Sequence, residues 1–305
     1  DGACRITEVM KKGKSQGIDA VAITDHGVLY GLVEFYQKAQ DSGIKPILGC
    51  EVYMAHGDMH DRKTGPGGSQ SNHLVLLAQS DTGLRNLQRM VSKAHLEGFY
   101  YKPRIDKELL AANAEGLIGL SACLKGEVTE SLVAGDEDRA ARVAGEFSEI
   151  LGPDNFYLEM QDHGIEEQRS ANPGIRELAR RLTLPLVVTN DVHFINREDA
   201  DAHDCMICLQ TAALMSDPNR MRYGSDQFYM KTGEEMQRLF PHDPGALTNT
   251  LRIAERCNVE MDLSGTTHFP RFGVPEGTTN EKYLWDIGVE GIRSRYGIED
   301  LNQLK

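Results

Sequence analysis

The chain has 305 residues, 40% hydrophobic and 26% charged, and no apolar run near the ~18 residues of a membrane span. Its 33 basic against 46 acidic residues give a formal net charge of -13, which argues against a surface that wraps duplex DNA non-specifically. That balance leaves room for a domain that binds cations at one spot and is carried to DNA by its neighbours. Six scattered cysteines (Cys4, Cys50, Cys123, Cys205, Cys208, Cys257) do not make a disulfide framework and fit a reducing cytoplasm.

The chain opens on Asp1-Gly2 without a Met or a signal peptide, which reads as a fragment. A first helix is predicted over Arg5–Gln16, stopped by Gly17. The apolar run Ile18–Ile23 then ends in Thr24-Asp25-His26-Gly27, and a helical pattern through Leu32, Phe35, Tyr36 and Ala39 closes at Gly43. Pro46–Gly49 is a strand leading to Cys50-Glu51, and His56–Asn72 is a long polar loop. Strands follow at His73–Ala78, at Gly116–Ser121 (into Ala122-Cys123), at Phe156–Met160 and at Pro185–Thr189, which delivers Asn190-Asp191-Val192-His193. Helices over Thr82–His95 and Glu137–Leu151 lie between them, and Glu177–Leu182 closes another. Beyond Leu263 the texture changes to a Pro- and Gly-rich connector over Thr266–Thr279, followed by a helix at Glu281–Tyr296 that reads as part of another module. About six short apolar strands alternating with helices predict a parallel α/β fold, either a barrel or an open sheet.

The chemistry is positional. His26, Glu51, Cys123, Asp191 and His193 fall at or just beyond the carboxyl ends of predicted strands, and His73 at the start of one. In parallel α/β folds those ends converge on one mouth. Imidazole, carboxylate and thiolate together are the ligands of Zn2+, Mn2+ or Fe2+. Asp191-x-His193 would place two ligand types on one side of an extended segment. Each residue alone has a plainer reading, as a cap, a solvated strand end or a buried thiol; the coincidence of several strands is what points to metal.

Other features read as structural. Cys205 and Cys208 form a single CxxC without the second pair of a zinc ribbon. Asp199-x-Asp201 suits the start of a helix. Tyr100-Tyr101-Lys102-Pro103-Arg104 mixes aromatic and basic groups that could touch a nucleic acid strand, but reads as a surface loop. His56, His60, His95, His163, His242 and His268 have no matching context.

The stretches AITDHGVLYGLVEFYQKAQDSGIKPILGCEVYMA, NHLVLLAQSDTGLRNL, EGFYYKPRID, GLSACLKGEV and LPLVVTNDVHF resemble the PHP (polymerase and histidinol phosphatase) domain of bacterial DNA polymerase III alpha subunits. The resemblance covers nearly the whole chain and extends into HFPRFGVPEGTTNEKYLWDIGVEGIRSRYG, which is similar to the passage into the polymerase palm. It implies a distorted seven-stranded barrel, (β/α)7, in residues 1–265, with its first strand missing here. Residues 266–305 would be the connector and the start of the palm region. It also implies up to three divalent metals, Zn2+ or Mn2+. His26 and Glu51 resemble motif residues of the site, with Glu51 bridging two metals. His73 and Cys123 would serve a second metal with Glu51, Asp191 and His193 would form the last motif, and Asp1 would share a metal with His26 and His193. The opening His-x-His pair of the family would lie before Asp1.

By the same resemblance the parent would be a Mg2+-dependent, DNA-directed DNA polymerase of the cytoplasm. Its partners would be primer-template DNA, deoxynucleotides, the sliding clamp and other replisome subunits, with no membrane. This chain lacks the palm aspartates and would not polymerise alone. Its site implies a metal-dependent phosphoesterase, a 3′–5′ proofreading exonuclease with Glu51, Asp191 and His193 at the reaction. The alternatives are a metal-stabilised platform for the polymerase and its proofreading subunit, and a small-molecule phosphatase.

Overall fold

The computed structural model describes every residue except 1, 63, 66–69, 266–269, 271 and 301–305. Two compact units are present, Asp1–Met261 and Asp262–Lys305. In the second, Thr279 caps the helix Asn280–Tyr296 (α11) by accepting from the Lys282 N–H.

The first unit is built on an eight-stranded sheet. In chain order its elements are α1 (Ile6–Ser15), β1 (Ala20–Ile23), α2 (Leu32–Ser42), β2 (Lys45–Met54), β3 (Asn72–Ala78), α3 (Asp81–Leu96) and the hairpin β4 (Phe99–Tyr100) and β5 (Lys102–Ile105). They continue as α4 (Lys107–Ala111), β6 (Leu117–Leu120), α5 (Glu127–Val133), α6 (Glu137–Leu151), β7 (Phe156–Met160), α7 (Glu166–Leu182) and β8 (Leu186–Val188). A 3-10 turn (Arg197–Asp199) leads to α8 (Ala200–Thr211), α9 (Gly233–Leu239) and α10 (Pro244–Arg256). The sheet runs β4-β5-β2-β3-β6-β7-β8, with β1 added to the first half of β2.

Most neighbours are parallel, as the alternation of strands and helices predicts. The exceptions are the β4–β5 hairpin and β3, which is antiparallel to both β2 and β6. For β3 the cause is the connection: among the described residues between β2 and β3 there is no crossover helix, and an antiparallel pair needs none. Helix α7 is longer than its apolar pattern suggests, because Gln168 and Asn172 are buried on its inner face and hide the periodicity.

Period-two alternation in β2 divides the core. Cys50, Val52 and Met54 face outward into a cluster with α3, α6 and α7, including Leu87, Met90, Phe147 and Ile175. Ile47 faces the concave side with Val75, Leu77, Ile118, Leu120, Tyr157 and Val187, and there Ile253 and Cys257 from α10 and its C-terminus complete the packing. Leu48 and Leu76 are fully buried, each worth ~1.5–3 kcal/mol of apolar transfer. Polar bonds pin α10 at the amino-terminal end of the parallel strands: Lys45 Nζ donates to Ala254 O (2.6 Å) and Asn249 Nδ2 to Leu186 O (2.7 Å). One end of the concave face is therefore closed. At the other, ligand-type side chains gather.

Candidate metal centre

Three strands bring the predicted residues to this open end. β1 runs out into His26, which forms a parallel bridge with Glu51 on β2, and the Gly27 N–H donates to Glu51 O at 2.9 Å. Gly27 sits at φ +64, and a Cβ there would lie 2.9 Å from Tyr53 and 3.0 Å from Pro103, so only glycine fits the turn. His73 pairs with Tyr53 across the β2–β3 ladder. It is at the start of its strand, yet because β3 is antiparallel that start shares the rim with the carboxyl ends of its neighbours.

One ligand atom each from His26, Glu51 and His73 lies within 4.8 Å of the others. Glu51 and His73 are joined by a 2.5 Å bond from Nδ1 to Oε1, and His26 Nδ1 is 3.8 Å from Glu51 Oε2. Cys123 Sγ, just beyond β6, is 3.9 Å from Glu51 Oε1 and 3.8 Å from His73 Nδ1. Carboxylate, imidazole and thiol converging at this range suit a divalent transition ion.

Asp191 and His193 follow β8, and the segment is not extended. Asp191 has φ 42, in the left-handed region, so the two side chains do not project from a common strand face. His193 Nδ1 is 3.0 Å from Asp191 O and 3.6 Å from Asp191 Oδ1. A carbonyl can only accept, so Nδ1 carries the proton and Nε2 is the basic nitrogen, which accepts from the Tyr223 hydroxyl at 3.1 Å. The amino-terminal segment lies against this loop, with the Ala3 N–H donating to His193 O at 2.7 Å. Asp1 lies outside the described residues.

The electrostatics bind these groups together. Burial alone would raise the Glu51 carboxyl, but the bond from His73 and the nearby His26, His73 and His193 hold it below its ordinary value. Asp191 goes the other way: burial and the Glu51 charge raise it, against the pull of His193, His26 and His73. Burial pushes the Cys123 thiol well up, reinforced by Glu51 and Asp191, and lowers His26. Two carboxylates and a thiol thus share a poorly solvated chamber, where a divalent cation would favour their ionised forms.

Several residues at the site had no reading in the sequence. Tyr53 shares its strand face with Glu51, and its ring lies against those of His26 and His73, with centroids 5.9 and 5.2 Å apart. Glu159, the polar member of β7, accepts from the Ala122 N–H at 3.0 Å and from the Thr189 hydroxyl. It thereby ties together the β6, β7 and β8 ends that carry Cys123 and Asp191. His163 is buried, stacked on Phe228 at 3.9 Å, with Nε2 donating to Asn190 O at 2.8 Å. An acid inside the apolar run FYLEM was the available signal for Glu159; His163 had none. Cys205 and Cys208 lie on α8, and Asn196 and Asp199 form a capping box before it.

The PHP domain family matches residues 1–163. Over 299 residues the chain is 43% identical to the DNA polymerase III subunit alpha of Treponema pallidum, covering 98% of this chain and 26% of that protein. The DNA polymerase III subunit alpha of Thermus aquaticus is 41% identical over 304 residues, 97% of this chain and 25% of its own. A putative metal-dependent phosphoesterase from Bifidobacterium adolescentis, known as a crystal structure, overlays with a TM-score of 0.38 at 16% identity, covering 63% of this chain and 84% of that one. The chain spans about a quarter of the length of the curated relatives it matches. With ligand-type side chains gathered at the strand ends and the match over more than half its length, the chain belongs to the PHP domain family.

Proposed function

We propose that this chain is the PHP domain of a bacterial DNA polymerase III alpha subunit, acting as a metal-dependent phosphoesterase that removes nucleotides from the 3′ end of a DNA strand. The observation that carries the reading is the His26–Glu51–His73 cluster at the sheet mouth, with Cys123 beside it. His26, Glu51, His73 and Cys123, with Asp191 and His193, would hold the divalent ions. The metal, Zn2+ or Mn2+, would supply an activated water and clamp phosphate oxygens. Glu51 would bind through its carboxylate, and Asp191 would position the attacking water. The backbone bond from His193 Nδ1 to Asp191 O keeps Nε2 available as a ligand. Residues 266–305 would begin the palm, and the parent would polymerise DNA with Mg2+, in the cytoplasm, alongside the sliding clamp and other replisome subunits. The similarity to polymerase subunits over 98% of the chain supports a DNA end over a free phosphate ester.

The test is elemental analysis of the parent protein together with release of the 3′ nucleotide from a mismatched primer, before and after Asp191→Asn. Metal in the parent and release lost in the variant are expected. Metal without release, or release indifferent to the substitution, would leave a metal-stabilised platform and end the nuclease reading.

A further inference from the structure

The hairpin β4–β5 stands beside the metal cluster, and its chemistry is not spent on the fold. Arg104 is its anchor, 1% exposed, donating to the backbone oxygens of Gly98, Met59 and Asp61. Pro103 packs where a side chain on Gly27 would go, next to His26. The turn itself is different. Tyr101 forms it at φ 59, a conformation unfavourable for an aromatic residue, and remains 65% exposed with its ring 4.7 Å from that of Tyr100. Lys102 is exposed, and its Nζ lies 5.5 Å from the centre of the Tyr53 ring, which in turn touches His26 and His73.

Across β2 and β3, on the β6 side, the exposed Lys125 is tied to the same cluster. Its N–H donates to Cys123 Sγ at 3.5 Å, and its carbonyl accepts from the His73 N–H at 2.9 Å. In a chain of net charge -13, two such lysines flank the buried cluster, and the exposed tyrosine beside one of them adds a flat face.

We propose that Tyr101, Lys102 and Lys125 form the entry to the metal centre for single-stranded nucleic acid, a base stacking on Tyr101 and the two lysines taking backbone phosphates. Stacking on an aromatic face tolerates any base, and paired bases in a duplex do not offer it. An acidic peptide would use the lysines and leave Tyr101 idle. The inference rests on the phosphoesterase reading for its purpose, but binding can be measured without hydrolysis.

The test is fluorescence anisotropy of the 305-residue chain with a labelled oligothymidylate of ~12 nucleotides in EDTA. Tyr101→Gly relieves the backbone strain and removes the ring, so it should fold and bind about tenfold more weakly, with Tyr101→Phe restoring affinity. Lys102→Ala and Lys125→Ala should each lower the slope of log affinity against log salt by about 0.7, one phosphate contact on a single strand. No binding by the unaltered chain would overturn the proposal, as would Tyr101→Gly binding undiminished. Equal affinity for a duplex, or equal competition by polyglutamate, would also overturn it. Hydrolysis of bis(4-nitrophenyl) phosphate by the parent protein with Mn2+ reports separately on the metal centre. Oligonucleotide bound as expected without that hydrolysis would remove the phosphoesterase reading alone; hydrolysis without oligonucleotide binding would remove the entry alone.

Discussion

Replacing Glu159 by glutamine should change how the stability of the domain depends on pH. Glu159 is buried inside the sheet, and burial, partly offset by bonds from Thr189 and Gln161, raises its carboxyl from 4.5 to about 7, with Glu51 and Asp191 adding to the rise. The folded state therefore holds this proton more tightly than the unfolded chain. The stability it contributes is complete below pH 4.5 and is lost as pH rises through 7, by about 3 kcal/mol for a shift of this size. Glutamine removes that dependence. It also turns an amide NH2 toward the Ala122 N–H, giving up one bond worth about 1 kcal/mol. The variant should thus be within roughly 0.5 kcal/mol of the unaltered chain near pH 5 and more stable by up to about 2 kcal/mol at pH 8. Urea unfolding of both proteins across pH 5–8, in EDTA so that no cation neutralises Glu51 and Asp191, gives the difference directly. Titrating groups that do not interact with Glu159 cancel in the comparison. A difference that stays constant over this range would refute the assignment of the buried proton to Glu159.

Gly27→Ala should destabilise by about 1–3 kcal/mol, because its Cβ meets Tyr53 and Pro103 in a left-handed turn; a urea midpoint at the unaltered value would contradict this. His163 should remain neutral at pH 5 by imidazole NMR, since burial lowers it from 6.5 to about 4. Its folded value is depressed, so its contribution is present above pH 6.5 and fades as pH falls toward 4, and a midpoint measured near 6.5 would remove that acid-side term.

The sequence showed which residues gather at the sheet mouth better than how the chain travels between them. Buried strands such as Phe156–Met160 are short apolar runs bounded by turns, and this one matches its observed limits. The direction of β3 was not legible, because a buried strand carries the same apolar run whichever way it points. His73 nevertheless reaches the mouth, for the reason its position at a strand start had left open. The geometry at Asp191 was hidden too: a non-glycine residue at positive φ leaves no mark in the pattern, and the extended reading of Asp-x-His failed there. Tyr101 is the same case, since a one-residue turn carrying an aromatic reads as an ordinary loop. Glu159 and His163 belong to a layer behind the strand ends. Their importance comes from burial and from contacts across three strands, which one local segment cannot display.

His193 offers the sharpest remaining test of how the site takes up a metal. Its Nδ1 proton is committed to Asp191 O, which is the usual arrangement behind a ligating imidazole, so that Nε2 is the atom that would coordinate an ion. Nε2 is capped by the Tyr223 hydroxyl, whose own acidity burial suppresses, so the phenol stays a donor throughout the neutral range. An ion bound at Nε2 must displace that bond, which is worth roughly 0.5–1.5 kcal/mol. Tyr223→Phe keeps the ring packed against His203 and Phe228 while removing the competing hydroxyl. Zn2+ or Mn2+ should therefore bind about two- to tenfold more tightly to the variant by calorimetry at pH 7.5. Weaker binding would mean that the hydroxyl orients His193 for the metal, and unchanged binding that the ion does not use His193 at all.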